Sequence, residues 1–241
     1  MGWLSRFLNS SMGLKAIMAL SGLMLVGFVV VHMAGNLQIF LGAAALNHYG
    51  EMLHSNKELL WIARSGLIVA VLAHIYAATV LTLRSKAARP IGYKVHKRVS
   101  QSYSARTMRW GGVIVLAFIV FHLLHLTLGT AHPEFQHCNT VNEFGVLDPN
   151  GDFTCYVYEN VVRGFEGNWG VVAFYVVAQI AISMHLTHGI WSMCRSLGMN
   201  SPRSDNLARK AAISIGTVVG FFNCFIPIAV AVGLVSAEGL L

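Results

Sequence analysis

The sequence predicts an all-α integral membrane protein with five transmembrane helices. Of its 241 residues, 55% are hydrophobic and only 11% are charged, and the mean hydropathy is +0.60. Soluble domains carry about 25% charged residues, so this composition excludes a soluble globular enzyme and a disordered tail. A membrane span needs about 20 apolar residues. Five stretches near that length contain no Asp, Glu, Lys or Arg: Ala16–Gly50, Ser65–Leu83, Trp110–Pro133, Gly167–Cys194 and Ala211–Ala237.

Each stretch predicts one helix of a single membrane domain that covers residues 1–241. The predicted helices are 16–40, 59–83, 110–130, 169–193 and 211–236, with a long loop at 131–168 and a basic loop at 84–109. The second helix reaches full length if the Arg64 side chain extends to the membrane interface. The first apolar run contains His32 and exceeds the roughly 7–15 residues of a signal-peptide core, so we expect it to be retained.

The distribution of charge predicts the orientation. With the N-terminus inside, the inner segments hold fourteen basic residues and one acid, Asp205, whereas the outer segments hold three basic residues and nine acids. This Lys/Arg bias predicts an inner N-terminus and an outer C-terminus in a cytoplasmic membrane. The net charge of +7 is then a topology signal, and we expect no nucleic-acid partner. The inner basic residues are placed to contact lipid head groups, and the loop 84–109 to contact a cytoplasmic partner.

The four cysteines give little evidence of a metal site. Cys138 and Cys155 share the outer loop, where they either form a disulfide or stay as two thiols. Cys194 and Cys224 lie on different helices without metal-site spacing, so we interpret them as packing residues.

Six of the 11 histidines fall inside the predicted spans: His32, His74, His122, His125, His185 and His188. An ionisable group at that depth is costly and suggests a function. At a helical rise of 1.5 Å per residue, His74 and His185 lie about 15 Å from the basic residue that ends their helices. His32 and His122 lie about 25 and 20 Å from the basic end of theirs, toward the other face.

Two histidine pairs at two depths on four helices are typical of two stacked haems, each bound by two imidazoles. The predicted fold is therefore a membrane protein whose four-helix core holds two b haems. Two alternatives remain. In the first, each histidine forms a hydrogen bond with a polar group on a neighbouring helix. In the second, the histidines bind zinc, but the ligands of a zinc site would lie at one depth and not at two. Depth alone leaves His125 and His188 open as ligands.

Several short motifs accompany these histidines. They are Ser11-x-Gly13-x-Lys15, Ser21-Gly22, His32-x-x-x-Asn36, Arg109-Trp110-Gly111-Gly112, Phe121-His122, Tyr158-x-Asn160-Val161-Val162-x-Gly164-Phe165, His185-Leu186-x-His188-Gly189-x-Trp191-Ser192, Leu197-Gly198 and Pro202-Arg203. Together they resemble the single-chain, five-helix, di-haem cytochrome b558 anchor of succinate dehydrogenases and fumarate reductases, over residues 10 to 235 or so.

The resemblance implies one haem between His74 and His185 near the inner face and another between His32 and His122 near the outer face. It also implies a flavoprotein that carries FAD and the dicarboxylate site, and an iron–sulfur protein, both on the cytoplasmic face. The complex would belong to the tricarboxylic acid cycle, transfer electrons between succinate and a membrane quinone, usually menaquinone, and run in reverse as a fumarate reductase. The resemblance leaves undecided whether the complex forms a higher oligomer.

Further site residues are expected around the two haems. Glu51 and His48 follow the first helix and are candidates for exchanging protons with the quinone, although a solvated loop carboxylate is the simpler interpretation of Glu51. The candidate partners of the haem propionates are Lys15, Arg109, Ser11 and His96. Some family members place a glutamate two residues before the fourth-helix haem ligand, as part of a proposed proton path. Ser183 occupies that position here, which argues against such a path.

Two other function classes share part of this pattern. The di-haem cytochrome b subunit of a hydrogenase or formate dehydrogenase would have similar histidines but not the motif from His185 to Ser192. A haem-free anchor or transporter would use the histidines as proton relays or as contacts between helices. The sequence shows neither an inverted repeat of helices nor a broken helix to support a transporter.

Overall fold

The computed structural model describes residues 2–89, 91, 102–131, 138–139, 154–155, 157–237 and 239–240. Five helices in this part of the chain are long and apolar enough to cross a membrane, which confirms the predicted number of spans. They are α2 (Ser11–Asn36), α4 (Lys57–Ala87), α5 (Tyr103–His122), α7 (Trp169–Ser196) and α8 (Pro202–Ala231). A 3₁₀ turn at Leu37–Leu41 extends α2, and a π-helical turn at Leu123–Thr127 extends α5.

Three shorter helices and two pairs of short strands complete the described part of the chain. A helix α1 (Trp3–Leu8) precedes the first span, and α3 (Ala43–Ser55) and α6 (Val157–Phe165) lie between spans. Two strand pairs are present, β1 (Cys138–Asn139) with β2 (Thr154–Cys155) and β3 (Val235–Ser236) with β4 (Gly239–Leu240), both antiparallel.

A polar side chain caps the start of every membrane helix. In each case the side-chain oxygen accepts a hydrogen bond from the backbone N–H three residues on, at 3.0–3.2 Å. The capping residues are Ser10, Asn56, Ser102, Asn168 and Ser201. Such caps satisfy an N–H group that the helix itself leaves unpaired, so all five starts are encoded locally.

The helix limits differ from the predicted ones because caps, and not the edges of the apolar runs, set them. Helix α4 begins at Lys57 and includes Arg64, whose guanidinium carbon lies 5.4 Å from the Trp61 ring. Helix α8 ends at Ala231, five residues before the predicted limit. There Gly233 adopts a φ of +77°, and the N–H of Leu234 donates to the Ala229 carbonyl. This glycine-dependent motif closes the helix.

Helices α3 and α6 were predicted as parts of loops. Neither contains an apolar run long enough to span a membrane, and they are held by contact with each other. The Asn47 amide oxygen accepts a hydrogen bond from the Tyr158 backbone N–H at 2.9 Å, so α3 caps the start of α6. The Tyr158 side chain is completely buried and its hydroxyl donates to the Ser236 carbonyl at 3.0 Å. Burial, and then the adjacent Glu159 carboxylate, raise the pKa of this hydroxyl, which therefore stays a donor.

The described contacts fall into two compact units. The first unit comprises Met1–Val29, Trp61–Arg109 and Met184–Thr217, and the second comprises Val30–Leu60, Trp110–Ser183 and Val218–Leu241. Small residues dominate the buried positions of the first unit, among them Ala19, Ala70, Ala77, Ala208 and Ala212. Alanine at these positions allows helix backbones to approach closely. The second unit has a larger apolar core that includes Ile39, Leu46, Phe118, Val162 and Phe165.

Candidate functional site

Four of the predicted histidines meet in two pairs, one in each unit. The ring centroids of His74 and His185 are 6.3 Å apart in the first unit. Those of His32 and His122 are 5.8 Å apart in the second unit. All four side chains are half-buried. Among the described residues no group of three or more His, Cys, Asp or Glu side chains converges, so these histidines meet as pairs.

The first pair is oriented by α2. The Nδ1 atom of His74 lies 3.1 Å from the Met18 carbonyl oxygen and 3.2 Å from the Ser21 hydroxyl. A carbonyl can only accept, so the bond to Met18 requires the proton to be on Nδ1. That leaves Nε2 of His74 free of a proton and available to bind a metal.

The absence of a side chain at Gly22 allows the His74 ring to pack against α2. A Cβ atom at this position would lie 3.3 Å from Cε1 of His74 and 3.6 Å from its Nδ1. The glycine therefore leaves room for the His74 ring beside α2. The partner ring, His185, has a buried Nδ1 atom without a hydrogen-bond partner among the described residues.

The second pair is linked to a tyrosine that the sequence analysis did not single out. The Tyr175 hydroxyl of α7 lies 3.3 Å from Nδ1 of His122 and 2.9 Å from Nδ1 of His125. Tyr175 and His125 are only 4% and 3% exposed. His125 packs on the ring of Phe165, with centroids 5.6 Å apart. Of the two neighbouring histidines, His122 is therefore the one that pairs with His32.

A polar pocket of about 1110 Å³ lies within the first unit. Its walls come from the first turns of α2, the last turns of α4 and the last turns of α7, and they carry the cations Lys15, Arg84 and Arg195. Ser11 and Ser192 add hydroxyl groups. Met18, whose carbonyl bonds His74, also lines it, so the pocket adjoins the first histidine pair.

Two of the four predicted propionate partners, Lys15 and Ser11, line this pocket. Arg109 is exposed on α5 and does not line it. His96 lies outside the described residues. Arg84 and Arg195, the basic residues at the ends of the helices that carry His74 and His185, line the pocket but were not predicted as site residues.

The predicted proton-exchange residues lie together on α3. Nδ1 of His48 is 4.0 Å from a carboxylate oxygen of Glu51, and the side chains are 83% and 48% exposed. Each faces away from the core of the second unit. The structure therefore brings these two residues together but shows no contact between them and the pair of His32 and His122 in the described part of the chain.

The ring separation in each pair matches that of two imidazoles bound to one metal ion. A metal–imidazole bond is about 2 Å long and the ring centroid lies about 1 Å beyond the nitrogen, so two imidazoles on opposite sides of one iron have centroids about 6 Å apart. The observed separations are 6.3 and 5.8 Å. The Nδ1 bond of His74 is also the one expected of a ligand imidazole, because it leaves Nε2 for the metal.

No family model, curated protein or solved structure matches this chain.

Proposed function

We propose that the chain is a di-haem cytochrome b that anchors a succinate:quinone oxidoreductase to the membrane. The observation that carries this proposal is the presence of two imidazole pairs, at centroid separations of 6.3 and 5.8 Å, on helices that are able to span a bilayer. Reversible one-electron transfer is the chemistry that a haem supplies when it is bound to such a pair.

The proposed orientation is N-terminus inside and C-terminus outside, in the cytoplasmic membrane. The basic residues of the inner segments support it. In this orientation His74 and His185 would hold the inner haem, and His32 and His122 would hold the outer haem. Met18 orients the first ligand through its carbonyl group, and the Tyr175 hydroxyl contacts the last.

The polar pocket of the first unit is suited to the carboxylate edge of the inner haem. Lys15, Arg84 and Arg195 supply positive charge, and Ser11 and Ser192 supply hydroxyl donors. Charge-assisted hydrogen bonds of this kind are stronger than neutral ones. The pocket opens among the basic inner ends of α2, α4 and α7, where we also place the cytoplasmic partners.

The anchor serves an enzyme whose dicarboxylate site lies on a partner subunit. The partners we propose are a flavoprotein with FAD and an iron–sulfur protein, and the quinone is menaquinone. Glu51 and His48 are the groups we assign to proton exchange at the outer side. Their exposure and their 4.0 Å separation support this role, because protons from water can reach both side chains.

The first experiment counts haems in the complex purified with its co-eluting partners. We expect two b-type haems per chain in the pyridine haemochrome spectrum. We expect His74→Leu or His185→Leu to remove one haem, and His32→Leu or His122→Leu to remove the other. His188→Leu and His125→Phe are matched controls three residues further along the same helices, and both keep two haems. A colourless protein, or haem loss in the controls alone, contradicts the ligand assignment.

The second experiment identifies the partner enzyme. We expect the same complex to reduce a menaquinone analogue when succinate is supplied. A complex that holds two haems but responds only to hydrogen or formate contradicts the succinate assignment while leaving the haem assignment intact.

A further inference from the structure

The Tyr175 hydroxyl has two candidate partners on successive turns of one helix. Its oxygen lies 2.9 Å from Nδ1 of His125 and 3.3 Å from Nδ1 of His122. The helix carries a π-helical turn at Leu123–Thr127, immediately after His122. Such turns change which side chains share a helix face and are frequent at functional sites. Here the turn accompanies two imidazoles that face one phenol.

Aromatic rings pack around the Tyr175 ring. The rings of Phe118, Phe121, Phe165 and Phe174 have centroids between 4.8 and 6.4 Å from that of Tyr175. Tyr175 itself is 4% exposed. A polar hydrogen in such apolar surroundings must find a partner within the protein, because an unsatisfied buried donor costs about 1–3 kcal/mol.

The number of protons available restricts how Tyr175, His122 and His125 can form hydrogen bonds with one another. A tyrosine hydroxyl has one proton to donate and two lone pairs to accept with. In the described part of the chain its hydrogen-bond partners are the two Nδ1 atoms. The arrangement that satisfies the hydroxyl group and both Nδ1 atoms has one imidazole donating to Tyr175 while Tyr175 donates to the other. The two histidines then carry opposite tautomers.

We propose that Tyr175 is a positioning residue for the outer haem and holds His122 in the tautomer that binds iron. The Nδ1–H group of His122 donates to the Tyr175 oxygen, and the Tyr175 hydroxyl donates to Nδ1 of His125. Nε2 of His122 is then free of a proton, and Nε2 of His125 carries one. This inference rests on the proposed function, since it assigns a role toward the haem.

The proposed role of His122 as a haem ligand decides which tautomer belongs to which ring. The His122 ring lies 5.8 Å from that of His32 and is the one placed to share a metal. Nε2 of His125 instead faces α6, where a Cβ atom at Gly164 would lie 3.0 Å from it. The opposite arrangement would put a proton on the ligating nitrogen of His122 and prevent metal binding.

The bond also adjusts the electronics of the ligand. An Nδ1–H group that donates to an oxygen makes its imidazole more basic, which favours the ferric state. Donation from Tyr175 to His125 polarises the phenol, so the two hydrogen bonds strengthen each other. Loss of the phenol oxygen should therefore move the reduction potential of the outer haem to a more positive value.

The test is Tyr175→Phe in the purified complex, with Tyr76→Phe as the matched control. Tyr76 is a span residue that is 56% exposed, on α4. Redox titration and low-temperature electron paramagnetic resonance follow each haem. We expect Tyr175→Phe to keep both haems, to raise the potential of one, and to alter that haem's low-spin signal. His125→Phe should shift the same haem in the same direction by less. Tyr76→Phe should match the wild type.

The same measurements can overturn the proposal. An unchanged potential and signal in folded Tyr175→Phe exclude the positioning role, as does an equal shift of both haems, which would indicate general loosening of the fold. If Tyr175→Phe does not fold, an unchanged potential in His125→Phe excludes it instead. A wild-type complex without b haem contradicts the proposed function, whereas a wild-type complex with two haems that Tyr175→Phe does not affect contradicts only this inference.

Discussion

The indole Nε1–H of Trp191 donates a hydrogen bond of 2.9 Å to Oδ1 of Asp205. The same carboxylate lies 3.3 Å from a guanidinium nitrogen of Arg195 and 3.8 Å from one of Arg209. Both guanidinium groups also lie over the Trp191 ring, at 5.2 and 4.7 Å from its centroid. One acid thus joins the end of α7 to the start of α8, beside the polar pocket that Trp191 and Arg195 line.

We predict that Asp205→Ala destabilises the first unit by about 1–3 kcal/mol, chiefly through loss of the charged acceptor for Trp191. The ion pairs contribute less, because both arginines are half exposed. Asp205→Asn keeps an acceptor and should cost less. The midpoint of thermal unfolding in detergent measures the effect, with Glu166→Gln as an exposed control. Equal midpoints for Asp205→Ala and wild type would show that the cluster does not stabilise the fold.

A larger side chain at Gly22 should disturb only the first histidine pair. A valine would place its methyl groups where the His74 ring lies, since even a Cβ atom would be 3.3 Å from that ring. We expect Gly22→Val to lower the content of one haem or to shift its potential. Gly27→Val is the control, because a Cβ atom at Gly27 has nothing within 4 Å. Equal absorption spectra for the two variants would refute this role for Gly22.

Removal of one pocket cation should weaken retention of the inner haem. Each exposed arginine contributes on the order of 1 kcal/mol to binding of a carboxylate, which corresponds to about a fivefold change in affinity. Arg84→Gln and Arg195→Gln are the test variants, although Arg84 also donates to the Asn9 carbonyl at 2.8 Å. Arg109→Gln, outside the pocket, is the control. The rate of haem loss on heating gives the comparison, and equal rates for all three would contradict the propionate assignment.

The strands β1 and β2 align Cys138 directly with Cys155. Opposite Cα atoms in an antiparallel pair are about 4.5–5.5 Å apart, within the range that a disulfide needs. We therefore expect a disulfide when the protein matures in an oxidising compartment. Thiol alkylation and mass spectrometry before and after reduction will detect it. Alkylation of both cysteines without reduction would support the alternative of two free thiols.

The sequence by itself determined the number of spans and the residues that lie within them. Membrane helices must pair their backbone groups internally and need long uncharged runs, so five such runs predicted five helices. The caps at Ser10 and Asn56 are equally local, although the prediction from sequence did not use them. The end of α8 at Ala231 was missed because the glycine motif that closes it interrupts a continuing apolar run.

Depth and the resemblance predicted the two histidine pairs, whereas only the tertiary structure shows the rings meeting and the groups that orient them. Depth along a helix left His122 and His125 as alternatives, whereas packing against Gly164 and Phe165 takes His125 away from His32. Contacts of Tyr175 with two imidazoles depend on how far each helix is rotated about its axis. The rotation of each helix is set by its packing against all neighbouring helices. A sequence of uncharged residues does not reveal this rotation, because apolar side chains can face either lipid or protein.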